Sequence, residues 1–582
     1  MDPLHRSGLG APVSDLTPPV LFRLAPALVI LLVLLPVGLG VMGVLLPAVG
    51  YLPAIGADSA SLRPLEDALR RPGFWVATAT TLMVGLTASA LATGLGIAAA
   101  AVLSTGVMGW SRCAHALMIA APQTAIAAAL VLLWAPNGWV VRLVWSAAAA
   151  LGWDLGPPPA FAFPGDGWGL SLLLGLVLKE APFVALSLVV VARDAGAQDR
   201  LRVAASMGYG PTTAWLKLSL PIAYAQARML MWTMVIFNLG SVELALMLGP
   251  STPPTLTALA FETARDPTAA APLKAAAMAL LLLAACGVGL AAWALLEQAV
   301  ARAGRGWLVA GARRSGERLA RVLALGLGMT LVALSAFGAV VLTLWTIARG
   351  WFFPAPWPSS WRVASLPEQL AGWAPAIGNS ALIGLATTVA AVALALVCLE
   401  RESQRGQRLQ TGGRLLLLAP LLLPQLGFLF GLQILLLVIG VSGGTLAVIW
   451  AHLLFVFPYV YLSLAERYHG VDPRYRQVAA LLGAGPYRQF WAAMAPMVRG
   501  PALFSLALGF AVSISLYLPT QLVGSGRVAT LATETVALSA GGRRPDLALV
   551  ALLTLLLPAA GFSLAALVRR WGQRRLGEGS PS

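Results

Sequence analysis

Apolar residues gather along this chain into twelve long runs separated by short polar segments, each run having about the 20 residues a helix needs to cross a bilayer. Six lie in the N-terminal half, at Leu24–Leu46, Phe74–Leu103, Ala114–Trp134, Leu170–Val191, Met229–Leu248 and Ala275–Leu296. Six follow in the C-terminal half, at Val322–Trp345, Ala376–Leu399, Leu415–Ile439, Thr445–Leu464, Ala502–Leu522 and Leu547–Val568. The first run is too long, and lacks the small-residue cleavage site, to be a removable signal peptide, so it is expected to stay as the first span. The shorter stretch Trp139–Leu151, interrupted by Arg142, predicts a re-entrant or interfacial helix. These runs predict an all-α membrane protein of about twelve transmembrane helices. It divides into a first half at 1–298, an Arg-rich linker at 299–321 and a second half at 322–582.

The polar segments carry a repeat. RVAASMGYGPTTAWLKLSLP, Arg202 to Pro221, matches QVAALLGAGPYRQFWAAMAP, Gln477 to Pro496, at a constant offset of 275 residues without a gap. Asp199 and Asp472-Pro473 are placed to cap a short helix, the latter with Pro at the first helical position. That helix would end at Gly208 or Gly483, residues able to take the left-handed conformation. Pro211 and Pro486, each preceded by a glycine (Gly210, Gly485), would open a second short helix that stops near Pro221 or Pro496. Segments 193–228 and 465–501 thus predict two rigid helix–turn–helix loops. The spans repeat too: Thr80-Thr81-Leu82-Met83-Val84-Gly85-Leu86 resembles Asn379-Ser380-Ala381-Leu382-Ile383-Gly384-Leu385. Pro122-Gln123 matches Pro424-Gln425, and Pro182-Phe183-Val184 matches Pro458-Tyr459-Val460. Helices rich in Ala, Gly and Leu resemble one another by chance, but two polar loops of equal length sharing Gly-x-Gly-Pro and a terminal Pro do not.

Composition excludes a soluble protein: 59% of residues are hydrophobic, 11% are charged and the mean hydropathy is +0.82. The net charge of +16 comes from 39 basic against 23 acidic residues. With the N-terminus inside, 27 of the 39 basic residues fall in inner segments, which predicts both termini in the cytoplasm. A basic stripe with stacking aromatics is absent, so nucleic acid is not an expected partner. The run from Arg302 to Arg321 reads as a solvated anchor rather than a lipid-specific site. Outer segments such as Gly350–Trp361 carry interfacial aromatics. Three scattered cysteines and four scattered histidines give no disulfide framework or metal site.

The loops resemble those of a known family, the inner-membrane permeases of ABC importers, whose cytoplasmic loop reads Glu-Ala-Ala, three residues, Gly, nine residues, Ile-x-Leu-Pro. The first loop fits as Arg202-Val203-Ala204, Gly208, Leu218-x-Leu220-Pro221; the second as Gln477-Val478-Ala479, Gly483, Ala493-x-Ala495-Pro496. Both depart at the Glu, and the second also at the Ile and Leu positions. The resemblance extends once over each half, as in a fused permease of the type I importer fold. It implies a bacterial inner-membrane location, a periplasmic solute-binding protein as partner, and two copies of a cytoplasmic ATPase, one per loop. Among fused permeases the chain most resembles the thiamine, iron(III) and polyamine group, and Lys179-Glu180-Ala181-Pro182-Phe183 is similar to the thiamine-type branch.

No phosphate-binding loop is present, because Lys179, Lys217 and Lys274 all follow Leu, so no cofactor is expected in this chain and ATP with Mg would be bound by the partner. Catalytic triads and metalloprotease patterns are also missing, so no enzyme activity is expected. Charges within spans are costly, at about 2.5–3.5 kcal/mol each on insertion scales, which singles out Lys179, Glu180 and Glu243 as structural ion-pairing groups or as a solute path. Gln123, Gln425, Asn238 and Gln433 fit interhelical hydrogen bonding. The alternative is a twelve-span secondary transporter driven by an ion gradient, which would concentrate coupling charges near the midplane and have no need of matching rigid loops.

Overall fold

The computed structural model describes residues 20–577 except 105–120, 160, 267, 269, 312, 314, 315 and 442. Cys113, His5, His115 and the start of the run Ala114–Trp134 therefore lie outside the described residues. Among those described, eleven helices are long and apolar enough to cross a membrane, and the shorter Leu426–Val438 is a twelfth apolar rod. The protein is an all-α membrane protein with almost no strand.

In the first half, α1 (Val20–Val29) and α2 (Leu35–Ala48) form one rod, followed by α3 (Phe74–Ser104), α4 (Gln123–Trp134), α5 (Trp139–Ala150) and α6 (Leu170–Asp194). The first loop contains α7 (Ala197–Ser206) and α8 (Pro211–Ala214). It leads into α9 (Leu220–Gly240), α10 (Val242–Leu248), α11 (Leu256–Ala264) and α12 (Ala271–Val309). The second half repeats the order with α13 (Glu317–Ile347), α14 (Ala374–Arg405), α15 (Leu426–Val438) and α16 (Thr445–His469). Its loop contains α17 (Arg474–Leu481) and α18 (Pro486–Arg488), and α19 (Ala495–Ile514), α20 (Leu518–Val523), α21 (Leu531–Ser539) and α22 (Arg544–Gly577) complete it. The linker is shorter than the charge pattern predicts, because α12 continues to Val309 and α13 begins at Glu317.

Small residues let the helices approach closely, as lipid-embedded packing requires. A Cβ on Gly96 of α3 would stand 2.5 Å from Val184 of α6, and one on Gly509 of α19 would stand 2.7 Å from Thr388 of α14. The first helix of each half crosses onto the other half. α2 lies along α15, with Gly40 and Gly43 against Phe428 and Gly431, and Trp450 Nε1 of α16 donates to the Leu32 carbonyl at 3.1 Å. In the reverse direction α13 packs on α3 and α4 as well as on α22 of its own half.

Three π-helical turns, Ile30–Leu34, Trp215–Ser219 and Gln489–Met494, are described, and each ends two residues before a proline: Pro36, Pro221 and Pro496. Proline lacks the N–H that bonds the carbonyl four residues back and its ring clashes with that carbonyl; a π turn makes room without ending the helix. This corrects the expected stop at Pro221 and Pro496, since the second loop helices run through these prolines into α9 and α19. The expected caps also shift. Gly196 occupies the N-cap of α7 while Asp199 sits in its first turn, where a carboxylate still favours the helix dipole. Pro473 takes the N-cap of α17 and Asp472 Oδ1 accepts the Arg474 N–H at 2.9 Å.

Prolines also break the run Leu415–Ile439, leaving Leu426–Val438 as its long piece. The segment Trp139–Leu151 forms α5, separated from α4 by a turn at 135–138. Its Arg142 is buried, donates to the carbonyls of Asn137, Trp351 and Ala355 at 3.0–3.3 Å, and lies against the rings of Trp345, Trp351 and Phe353. The aromatic segment Gly350–Trp361 is therefore folded over α5, closed by a two-residue β-pairing of Ala348–Arg349 with Ser360–Trp361.

Candidate functional site

The two loops have the same backbone. Gly208 and Gly483 end their helices at φ +83° and +77°, the left-handed region where a side chain is strained. Gly210 and Gly485 precede the N1 prolines Pro211 and Pro486 in extended conformation. Val203 and Met207 of the first loop, and Val478, Leu481 and Leu482 of the second, are exposed. Ala204 is buried, whereas α17 buries none of its residues, Gln477, Val478 and Ala479 included. Arg202 pairs with Asp199 at 3.1 Å on the surface. Leu218 lies in the π turn, and Leu220 opens α9 beside Pro221.

The loops differ in what holds them. Glu317, the first residue of α13, accepts the N–H groups of Thr212 and Thr213 at 2.8 and 2.9 Å and the Thr213 hydroxyl at 2.7 Å. The linker backbone joins in: Gly210 N donates to the Arg313 carbonyl at 3.0 Å, Arg313 Nη1 to the Met207 carbonyl at 2.8 Å, and Lys217 Nζ to the Ala310 carbonyl at 2.7 Å. The segment expected to be a solvated anchor is a strap on the first loop. On the second loop, Phe22 of α1 packs against Tyr487 and Phe490, with ring centroids 5.5 and 6.0 Å apart. Arg476 reaches the buried Glu400 at the end of α14 at 2.7 Å, and Tyr468 donates to the same carboxylate.

Two of the three intramembrane charges reach the same segment. Lys179 Nζ of α6 donates to the Ala121 carbonyl at 2.9 Å, just before α4. Gln123, the first residue of α4, donates through Nε2 to Glu243 of α10. Lys179 and Glu243 thus converge on the Pro122-Gln123 segment from two different helices, while Glu180 and Glu243 are both buried. Glu180 is within electrostatic reach of Tyr459 of the other half, and Glu243 of Tyr517, which packs against Phe261. Around Glu243, the buried atoms Gln123 Oε1, Thr124 Oγ1 and Ser241 Oγ have no hydrogen-bond partner among the described residues. Such orphan groups are rare in a packed interior and require an explanation.

Broken helices frame this cluster. Ser241 interrupts the rod between α9 and α10, and residues 515–517 interrupt its counterpart between α19 and α20, placing Glu243 and Tyr517 beside equivalent breaks. Pro424, the counterpart of Pro122, packs onto Gly240, where an added Cβ would stand 3.0 Å away. Of the other amides, Asn238 donates to Ser89 at 2.9 Å across helices as expected, while Gln433 leaves its Oε1 without a partner. Among the described residues no group of three His, Cys, Asp or Glu side chains could hold a metal ion.

The Gln123–Glu243 bridge and the two tyrosines were not legible as a unit, because their partners lie in separate spans. The shared Pro-Gln pair was their available signal. Glu317 had one signal, as the lone acid in an Arg-rich segment.

No family model matches the chain. It is 32% identical over 468 residues, 79% of its own length and 82% of the relative's, to the inner membrane ABC transporter permease protein YnjC of Escherichia coli. It is also 24% identical over 197 residues to the spermidine/putrescine transport system permease protein PotC of Haemophilus influenzae, covering 34% of this chain but 76% of that protein. A match that takes up most of a relative and a third of this chain fits a polypeptide built from two permease units. Duplicated halves, paired rigid loops and similarity over four-fifths of a known permease meet in one assignment: the chain belongs to the inner-membrane permeases of ABC importers, as a fused, multi-pass member of that family.

Proposed function

We propose that this permease passes a small polar solute between its two six-span halves while two copies of a separate cytoplasmic ATPase, docked one per loop, supply the energy. ATP and Mg belong to that partner, and a periplasmic binding protein delivers the solute. Both termini face the cytoplasm in this reading, as the basic residues indicate.

Support comes chiefly from the loops. Their matching glycine turns and exposed apolar residues Val203, Met207, Val478, Leu481 and Leu482 support a docking point in each half. Cargo chemistry is drawn from the buried cluster. Buried carboxylates beside unpartnered oxygens suit a cation. Broken helices at corresponding places in two repeats are where transporters place their solutes. The cargo is thiamine-like first, with iron(III) or a polyamine next; the similarity to a spermidine/putrescine permease supports the last.

The test is reconstitution in liposomes with a cognate ATPase and binding protein, followed by uptake of labelled thiamine, iron(III) and putrescine. ATP-dependent uptake of one of them, with about two ATPase chains per permease, is expected. Uptake without any ATPase, driven by a proton or sodium gradient, would establish the secondary-transporter alternative. No uptake of all three would discard the cargo.

A further inference from the structure

We infer that Glu317 is the positioning residue of the first loop, and that the short helices after the two glycine turns are held by different chemistry: a carboxylate strap on the first, an aromatic plug on the second. This rests on the proposed docking of the ATPase only for its functional consequence; the strap is a property of the permease alone.

Both loops lack the same acid. Where the family pattern has Glu, this chain has Arg202 and Gln477, so neither loop can supply its own carboxylate there. The structure brings acids from outside. Glu317 takes the two N–H groups that open the helix after Pro211, plus the Thr213 hydroxyl. These are charge-assisted bonds, roughly twice as strong as neutral ones. Arg313 and Ala310 extend the contact along the loop.

Equivalent glycines then diverge. Gly210 and Gly485 share ordinary φ values of −67° and −66°, so alanine fits the backbone of either. A Cβ on Gly210, however, would stand 2.5 Å from the Glu317 carboxylate, whereas one on Gly485 meets nothing within 4 Å. The second loop has Phe22 where the first has Glu317, in both cases at the start of the first helix of the opposite half. Movement of α13 is therefore passed to the first loop through hydrogen bonds, and movement of α1 to the second through ring contacts.

Amide hydrogen exchange on the full-length permease, followed by solute-stimulated ATP hydrolysis of the full complex in liposomes, tests this. Glu317→Ala should raise exchange at Thr212 and Thr213 by about tenfold or more and leave residues 487–491 unchanged, with stimulated hydrolysis lost and basal hydrolysis kept. Glu317→Asp should recover part of both readouts. Gly210→Ala, which displaces the carboxylate without loading the backbone, should raise exchange at the same two amides, while Gly485→Ala should not raise exchange at 487–488. Phe22→Ala should loosen 487–491 and spare Thr212 and Thr213. Unchanged exchange at Thr212 and Thr213 in Glu317→Ala overturns the strap, and raised exchange with full stimulated hydrolysis overturns its positioning role. A wild-type complex without stimulated hydrolysis would count against the transport reading, leaving exchange to decide the strap.

Discussion

At Gly208 and Gly483 the backbone alone carries the cost of substitution. Both have positive φ, and among the described residues no non-neighbouring atom lies within 4 Å of where a Cβ would be. Valine at either position costs at least about 1 kcal/mol in backbone strain, with no clash to unfold the protein. Gly208→Val and Gly483→Val should therefore reach the membrane at near-normal levels and lose solute-stimulated ATP hydrolysis; full stimulation in both would remove the turn from coupling. Residues of this kind are legible in sequence because a turn is a local event. Glu317, Tyr459 and Tyr517 are not, because each meets its partner across a separation of about a hundred residues or more that periodicity does not encode.

Helices met in pairs show what small residues permit. On α15, a Cβ at Gly431 would fall within 2.6 Å of the backbone of Gly43 and Val44, atoms that cannot move aside without parting the two helices. Gly431→Ala should cost at least about 1–3 kcal/mol, seen as loss of the monodisperse peak in detergent size-exclusion chromatography. Gly38→Ala on α2, with nothing within 4 Å, should leave that peak intact. If both variants behave alike, the close crossing does not hold the halves together. Hydropathy located these rods well, since lipid demands long apolar runs. It misjudged where they stop: Pro221 and Pro496 read as terminators, but a π turn before each lets the helix continue, and no composition rule distinguishes a proline that breaks from one that is absorbed.

For the whole molecule, pseudo-symmetry coexists with an unequal interior. The mid-span acids Glu180 and Glu243 lie in the first half, within electrostatic reach of Tyr459 and Tyr517 of the second, whereas the second half's buried Glu400 lies near the end of its helix and pairs with Arg476. A solute path between the halves predicts that Glu180→Gln or Glu243→Gln lowers uptake by roughly tenfold, the loss of about 1.4 kcal/mol of contact, with the ATPase still bound. Normal uptake by both variants would take these acids off the path, and loss of folded protein would make them structural. The duplication itself was readable from the 275-residue offset, whereas the crossing of α2 and α13 onto opposite halves was not, because an apolar face does not say which apolar partner it will meet.

That crossing sets a timetable for synthesis. Gly43 leaves the ribosome about 390 residues before Gly431, so at roughly 5–20 residues per second α2 waits about 20–80 s for the groove it will occupy. During that interval its glycine face is covered by lipid or by insertion machinery, and the N-terminal half remains an unfinished assembly until α15 arrives. Fusing the two permease units into one polypeptide guarantees that the awaited partner comes from the same ribosome.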